Sequence, residues 1–276
     1  MPAVRTEIVL TFDNLGEAAD ESRGLPFPPP PHPSVAVVLP RLLELLHRHD
    51  LQATFFVEAV NAERYPDALA AILGGGHELG CHGWAHEMFG QLPPSERPAI
   101  LDRSIGALRG AGATVEGFRP PGGIVTGFDL ALLAARGVRW CSPTGSAPGI
   151  DRDVVCLPFA WPLVDAYWLA PALAGLRVRD GLSQEPLEVE RYLEVVGAEL
   201  DRVGGPDAPP LVCLIMHPFL YMGERGPEVL DGLLERLARL RGESDVAGVG
   251  PGADAARRLR EHGTLGPPEF DAASWA

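Results

Sequence analysis

The stretch I-V-L-T-F-D-N-L-G-E, Ile8 to Glu17, carries an apolar run through Thr11 and Phe12 into Asp13 and Asn14. An apolar run bounded by polar residues and glycine is the pattern of a buried strand that spills into a loop. Further apolar runs follow downstream, separated by amphipathic segments. Ala53 to Val57 reads as a second strand, and Gly117 to Arg119, Val138 to Trp140, Val154 to Leu157 and Leu211 to Met216 read as others. Between them, Leu39, Leu42, Leu43 and Leu46 recur at helical spacing. More helices are expected near Pro66 to Leu73 (closed by Gly74-Gly75-Gly76), Ser95 to Gly110, Asp129 to Ala135, Leu187 to Val203, Glu228 to Arg241 and Ala253 to His262. Strands that alternate with helices imply an α/β fold with parallel pairing and helices outside, as a (β/α) barrel or a doubly wound sheet. No linker or fixed-period repeat divides the chain, so a single domain over residues 1–276 is expected. The segment Gly16 to Pro33 ends in L-P-F-P-P-P-P-H-P and reads as a stiff loop, since proline removes backbone donors and favours extended geometry.

Composition narrows the function. With 23 basic against 37 acidic residues and a net charge of −14, the chain lacks the clustered Lys and Arg that a polyanion needs, which argues against nucleic acid. No segment reaches the ~20 apolar residues of a membrane helix. Met1 to Glu7 lacks the basic and apolar regions of a leader, and Cys81, Cys141, Cys156 and Cys213 show no C-x-x-C spacing. A cytoplasmic protein with reduced thiols is the expectation, and homo-oligomerisation is left open.

In a barrel of this kind the C-terminal strand ends form the site. Asp13-Asn14, His82 and His86, Arg119, Trp161 and Asp165, and His217 all fall just past strand ends. Within H-E-L-G-C-H-G-W-A-H-E, His77 to Glu87, His82 and His86 stand four apart. On a helical turn both imidazoles would share a face and grip one metal; two surface histidines are the plain alternative. His77 lies off that face and reads as structural. A hydrolytic metal takes a third ligand and leaves a position for water, and Asp13-Asn14 is the candidate. Asp13 could also act as base, with His217 as acid.

The ordered set T-F-D-N, A-T-F-F-V, G-H-E-L-G-C-H-G-W-A-H, G-F-R-P-P-G-G and L-I-M-H-P-F resembles the polysaccharide deacetylase (NodB-type, carbohydrate esterase 4) family over about Ile8 to His262. The ending H-P-F-L-Y-M-G-E-R-G-P-E-V-L is most similar to its allantoinase-like and cytoplasmic peptidoglycan-deacetylase-like branch. The resemblance implies a distorted (β/α)7-8 barrel and metal-assisted hydrolysis of an amide, typically an N-acetyl group, with zinc, cobalt or nickel as the divalent ion. It makes Asp13 the base, His82 and His86 metal ligands, and Arg119 the holder of Asp13. Pro158 to Asp165 matches the fourth motif, so that Asp165 orients the acid and Trp161 lines the pocket. His217 then protonates the leaving amine. Trp84, Pro121 and Gly122 join Trp161 in the expected substrate pocket, and Phe89, Tyr167 and Trp168 are further candidates for its wall.

One position departs from that pattern. The family's metal carboxylate follows the base directly, or stands two residues after it in the allantoinase-like branch, and those positions here are Asn14 and Leu15. Asn14 offers a neutral amide oxygen; Leu15 cannot ligate. Asn14 could complete a weakened site, Asp13 could swing onto the metal, or Glu17 could reach in. Alternatively the metal has been lost and the barrel repurposed as a non-hydrolytic catalyst or binding protein. The absent leader and the Pro-rich loop, expected to narrow the mouth, favour a small-molecule or amino-sugar substrate over a polysaccharide strand. Opening of a cyclic amide is the alternative hydrolysis.

Overall fold

The computed structural model describes residues 5–262 and 265–270, so residues 1–4 of the N-terminal stretch lie outside it. In chain order the strands are β1 (Thr6–Asp13), β2 (Thr54–Val57), β3 (Glu78–Cys81), β4 (Gly117–Phe118), β5 (Trp140–Cys141), β6 (Gly149–Asp151), β7 (Val154–Cys156), β8 (Leu211–Met216) and β9 (Val246–Gly250). They form one sheet in the spatial order β6-β7-β5-β4-β3-β2-β1-β8, with β9 beside the first half of β1. Apart from the antiparallel β6–β7 pair, neighbours run parallel. β1 is buried along its whole length. It pairs with β8 on one side, and on the other with β9 at its start and β2 at its end.

The expected distorted α/β barrel takes the form of a curled half-barrel sheet. The strand ladder ends at β6 and β8, and the isolated bridge of Val164 to Ile215 meets β8 along its open edge. The segment carrying Pro158 to Leu169 therefore stands where a closing strand would. Inside the curl, Phe56 and Trp140 meet edge to face at 5.2 Å, with the Arg119 guanidinium 4.3 Å above the Phe56 ring. Gly80 on β3 makes room for that ring, because a Cβ there would lie 2.5 Å from Phe56.

The helices are α1 (Ala18–Ser22), α2 (Leu39–Arg48), α3 (Asn61–Arg64), α4 (Pro66–Gly74), α5 (Arg97–Gly110), α6 (Gly127–Ala134), α7 (Asp165–Leu169), α8 (Ala174–Arg179), α9 (Val189–Asp201), α10 (Gly226–Leu240) and α11 (Gly252–His262). α2 buries Leu39, Leu42, Leu45 and Leu46; Leu43, expected inside, is only half-buried. α10 buries Val229, Leu230, Leu233, Leu234 and Leu237. A buried Arg97–Asp129 pair, 2.8 Å apart, ties α5 to α6. No helix among the described residues is long and apolar enough to cross a membrane. All four cysteines are free and buried.

Several elements differ from expectation. The segment read as a stiff loop opens with α1, and β6, β9, α7 and α8 carried too few residues to show a period. The E-L-G-C stretch is β3 itself. His82 to His86 is a turn rather than a helix, so the i, i+4 argument fails for this segment.

Candidate active site

The turn after β3 brings the two histidines together without helical geometry. Gly83 (φ +80°) and His86 (φ +68°) both occupy the left-handed region, which reverses the chain within four residues. Glu87 fixes the turn by accepting the backbone N–H of Trp84 at 2.9 Å and of Ala85 at 3.1 Å. The result is a T-shaped pair of imidazoles with centroids 5.0 Å apart.

On β1, Asp13 sits beneath them, 3% exposed. Its Oδ1 accepts from Arg119 Nη1 at 2.6 Å, and the same nitrogen donates to Thr11 Oγ1 at 2.7 Å. The other nitrogen, Nη2, donates to Ser142 Oγ at 2.9 Å, so Arg119 is clamped between strands and holds the carboxylate. Asp13 Oδ2 lies 4.0 Å from His82 Nε2. Across the cavity, His217 at the end of β8 donates through Nδ1 to Asp165 Oδ1 at 2.5 Å. Its backbone N–H reaches Asp165 Oδ2 at 2.7 Å. Asp165 is wholly buried at the start of α7, which fixes the ring and its tautomer.

These residues share one cleft of about 610 Å³ including its mouth, lined by Asp13, Asn14, His82, His86, Arg119 and His217 together with Gly122 and Trp161. Five of the expected wall residues do not line the cleft. Trp84 packs against Arg103, whose guanidinium lies 3.4 Å from the ring centroid, and the cleft is lined by Pro120, not by Pro121. Phe89, Tyr167 and Trp168 are core residues. No residue of the Pro-rich tract lines the cleft, whereas Arg23, just before it, does. Sequence reasoning missed Arg23, because nothing in a lone Arg after a short helix marks it as pocket-lining.

Burial sets the protonation of the histidines. Loss of solvent pushes His82 down to about 4; burial first, and then the neighbouring His82 and Arg23, hold His86 well below the ordinary imidazole value. Both are therefore neutral at pH 7, the form that ligates a metal. His82 Nδ1 must donate, since its partner is the Arg119 carbonyl at 2.8 Å, which leaves the Nε2 lone pair free. Asn14 takes the left-handed conformation (φ +61°), and its buried Oδ1 has no hydrogen-bond partner. A free imidazole lone pair and an orphaned amide oxygen suit a divalent cation, so the donor chemistry fits one. Among the described residues no three His, Cys, Asp or Glu side chains already converge on one point. Glu17 is excluded as the third ligand: its two oxygens are taken by Arg64 at 3.0 Å and Tyr65 at 2.6 Å. Leu15 is buried and apolar. Arg23 Nη2 approaches His86 Nε2 at 3.4 Å, while the buried His86 Nδ1 has no hydrogen-bond partner.

Residues 2–139, half of the chain, match the family model described as polysaccharide deacetylase. The chain belongs to that family. The matched half holds Asp13, Asn14, His82, His86 and Arg119; Asp165 and His217 lie beyond it and are joined to the site by geometry. Among curated relatives, a peptidoglycan-N-acetylglucosamine deacetylase of Bacillus cereus is 28% identical over 120 residues, covering 42% of this chain and 44% of that protein. Chitin deacetylase 1 of Saccharomyces cerevisiae is 35% identical over 95 residues, covering 34% and 32%. The match thus spans less than half the length of each of these two relatives. Among solved structures, a provisionally named polysaccharide deacetylase of Mycobacterium smegmatis superposes with a TM-score of 0.77 at 25% identity, covering 98% of this chain and 96% of that one.

Proposed function

We propose that the protein hydrolyses the amide carbon–nitrogen bond of an N-acylated amino sugar or acylamino small molecule, most simply removing an acetyl group, with a divalent metal (zinc first, then cobalt or nickel) at His82, His86 and Asn14. The observation that carries this is two charge-fixed dyads, Arg119–Asp13 and Asp165–His217, facing one cleft. Asp13, anchored through Oδ1, keeps Oδ2 to take the proton of an attacking water. His217, anchored through Nδ1, presents its other nitrogen to hand a proton to the departing amine. A bound divalent cation would supply Lewis acidity for the carbonyl. The aromatic and aliphatic wall of Phe159, Trp161, Leu173 and Phe219, in a cleft of this size, supports a substrate of one or a few rings.

The test is release of acetate from N-acetylglucosamine oligomers and from acylamino small molecules, by metal-loaded and chelator-stripped protein and by the Asp13→Asn and His217→Ala variants. Turnover that needs the metal and both residues supports the reading. Turnover indifferent to the chelator would sink its metal-assisted form and favour a second reading, a pocket that works without metal, for which the approach of Arg23 to His86 is the supporting observation.

A further inference from the structure

Glu58 is a buried carboxyl that neither dyad uses. It is the first residue past the end of β2, on the side of the sheet where the site is built. Strand alternation puts it on the face of Phe56, which lies beneath Arg119 and is the register partner of Asp13. Asn14 is adjacent, since its backbone N–H donates to the Phe56 carbonyl at 3.3 Å. The Glu58 side chain is wholly buried and neither carboxyl oxygen has a side-chain hydrogen-bond partner; the backbone N–H groups of Glu58 and Leu15 are the donors nearest to it. Asp13 and Arg23 are the side-chain charges that act on it most, and neither is bonded to it.

Burial raises the Glu58 carboxyl to about 8, with Asp13 adding to the rise, so it is neutral at pH 7 in the metal-free protein; a buried carboxyl with no side-chain partner is still unfavourable, and an apolar residue would fill the same space at little cost. The position therefore makes sense where a cation arrives. Beside it, the cation site is one negative charge short: His82 and His86 are neutral, and Asn14 is an amide. Two adjacent strand ends thus carry a missing carboxylate and a carboxyl without a side-chain partner.

We propose that Glu58, releasing its proton to solvent as the cation binds, supplies the negative charge that Asn14 leaves out, so that a divalent cation held by His82, His86 and Asn14 is balanced from the end of β2. The proposal rests on the metal-assisted reading of the site, but it is tested by metal binding and not by turnover. The full chain, stripped with chelator, is titrated with Co²⁺ by visible absorption and with Zn²⁺ by calorimetry, as wild type, Glu58→Gln, Asn14→Asp and the double variant. Glu58→Gln is expected to weaken binding roughly 10- to 100-fold. Asn14→Asp is expected to restore most of that loss in the Glu58→Gln background and to add less in the wild type. Equal affinity of Glu58→Gln and wild type overturns the proposal, as does failure of Asn14→Asp to restore binding. Wild type that binds no Co²⁺ at millimolar concentration overturns the metal-assisted reading as well. Binding that is lost in His82→Ala yet unchanged in Glu58→Gln overturns the Glu58 proposal alone. Thermal unfolding in chelator supplies the folding control: Glu58→Gln should melt no lower than wild type, and a lower melting point would mean that Glu58 has a structural partner, against the proposal.

Discussion

Replacing Arg119 by Met should destabilise the protein chiefly by stranding Asp13. Both groups are out of solvent, Arg119 at 1% and Asp13 at 3% exposure. The substitution removes the 2.6 Å ion pair together with the donors to Thr11 and Ser142. Removing one partner of a buried pair costs about 3–5 kcal/mol, and the lost hydrogen bonds are part of that figure rather than an addition to it. Asp13→Asn should be milder, because Arg119 keeps Thr11, Ser142 and the face of Phe56. The double variant should therefore lose markedly less than the sum of the two, with a coupling of about 2 kcal/mol or more. Urea unfolding at pH 7 measures all four forms, with fluorescence of Trp140, which packs on Phe56 under the guanidinium, as one probe. A loss under about 1 kcal/mol for Arg119→Met, or strict additivity in the cycle, would refute the view that Arg119 exists to hold Asp13 as an anion.

Three further outcomes are expected. Asp165→Asn should lower kcat about 10²-fold or more while KM moves little, because His217 loses the carboxylate that orients it; steady-state acetate release checks this, and an unchanged kcat would count against His217 as the acid. The metal-free protein should lose stability as pH falls from about 6.5 toward 4, because His77 and His82, both pushed down to about 4 by burial, stay neutral in the native state while their unfolded counterparts take up protons. Each contributes up to about 3 kcal/mol across that window; urea midpoints between pH 7 and 4 read it, and His77→Gln should flatten the slope. Arg23→Ala should tighten Co²⁺ binding by removing a fixed cation 3.4 Å from His86 Nε2, whereas an unchanged dissociation constant would show that the guanidinium leaves freely when metal enters.

How much of this was legible in the sequence depends on whether the signal is local. β1 and β8 were readable because a buried parallel strand is a continuous apolar run, and α10 because its apolar face repeats with helical spacing. β4 and β5 resolve to two residues each, and β6 and β9 are too short or too rich in glycine to show a pattern. The His82–His86 spacing led to the right pair of rings through the wrong geometry, since four residues close equally well as a helical turn and as a left-handed turn held by Glu87. Trp84 was drawn into the expected pocket by its place between the histidines, but that turn points it outward against Arg103.

Glu58 was illegible for a different reason. In A-T-F-F-V-E it looks like the polar residue that ends any strand, and the same words describe Asp13 and Asn14 in T-F-D-N. What separates a solvated strand end from a buried one is the register between β1 and β2, a contact between residues more than forty positions apart that no local pattern encodes. With that register known, Asn14 and Glu58 stop being separate departures. An amide at the end of one strand and a carboxyl without a side-chain partner at the end of the next are complementary changes around one place, and either alone would be hard to account for physically. The carboxyl without a cation is a buried polar group with no side-chain partner; the cation site without it would be two neutral imidazoles and an amide, with the neighbouring Asp13 carboxylate already committed to Arg119 and the guanidinium of Arg23 competing.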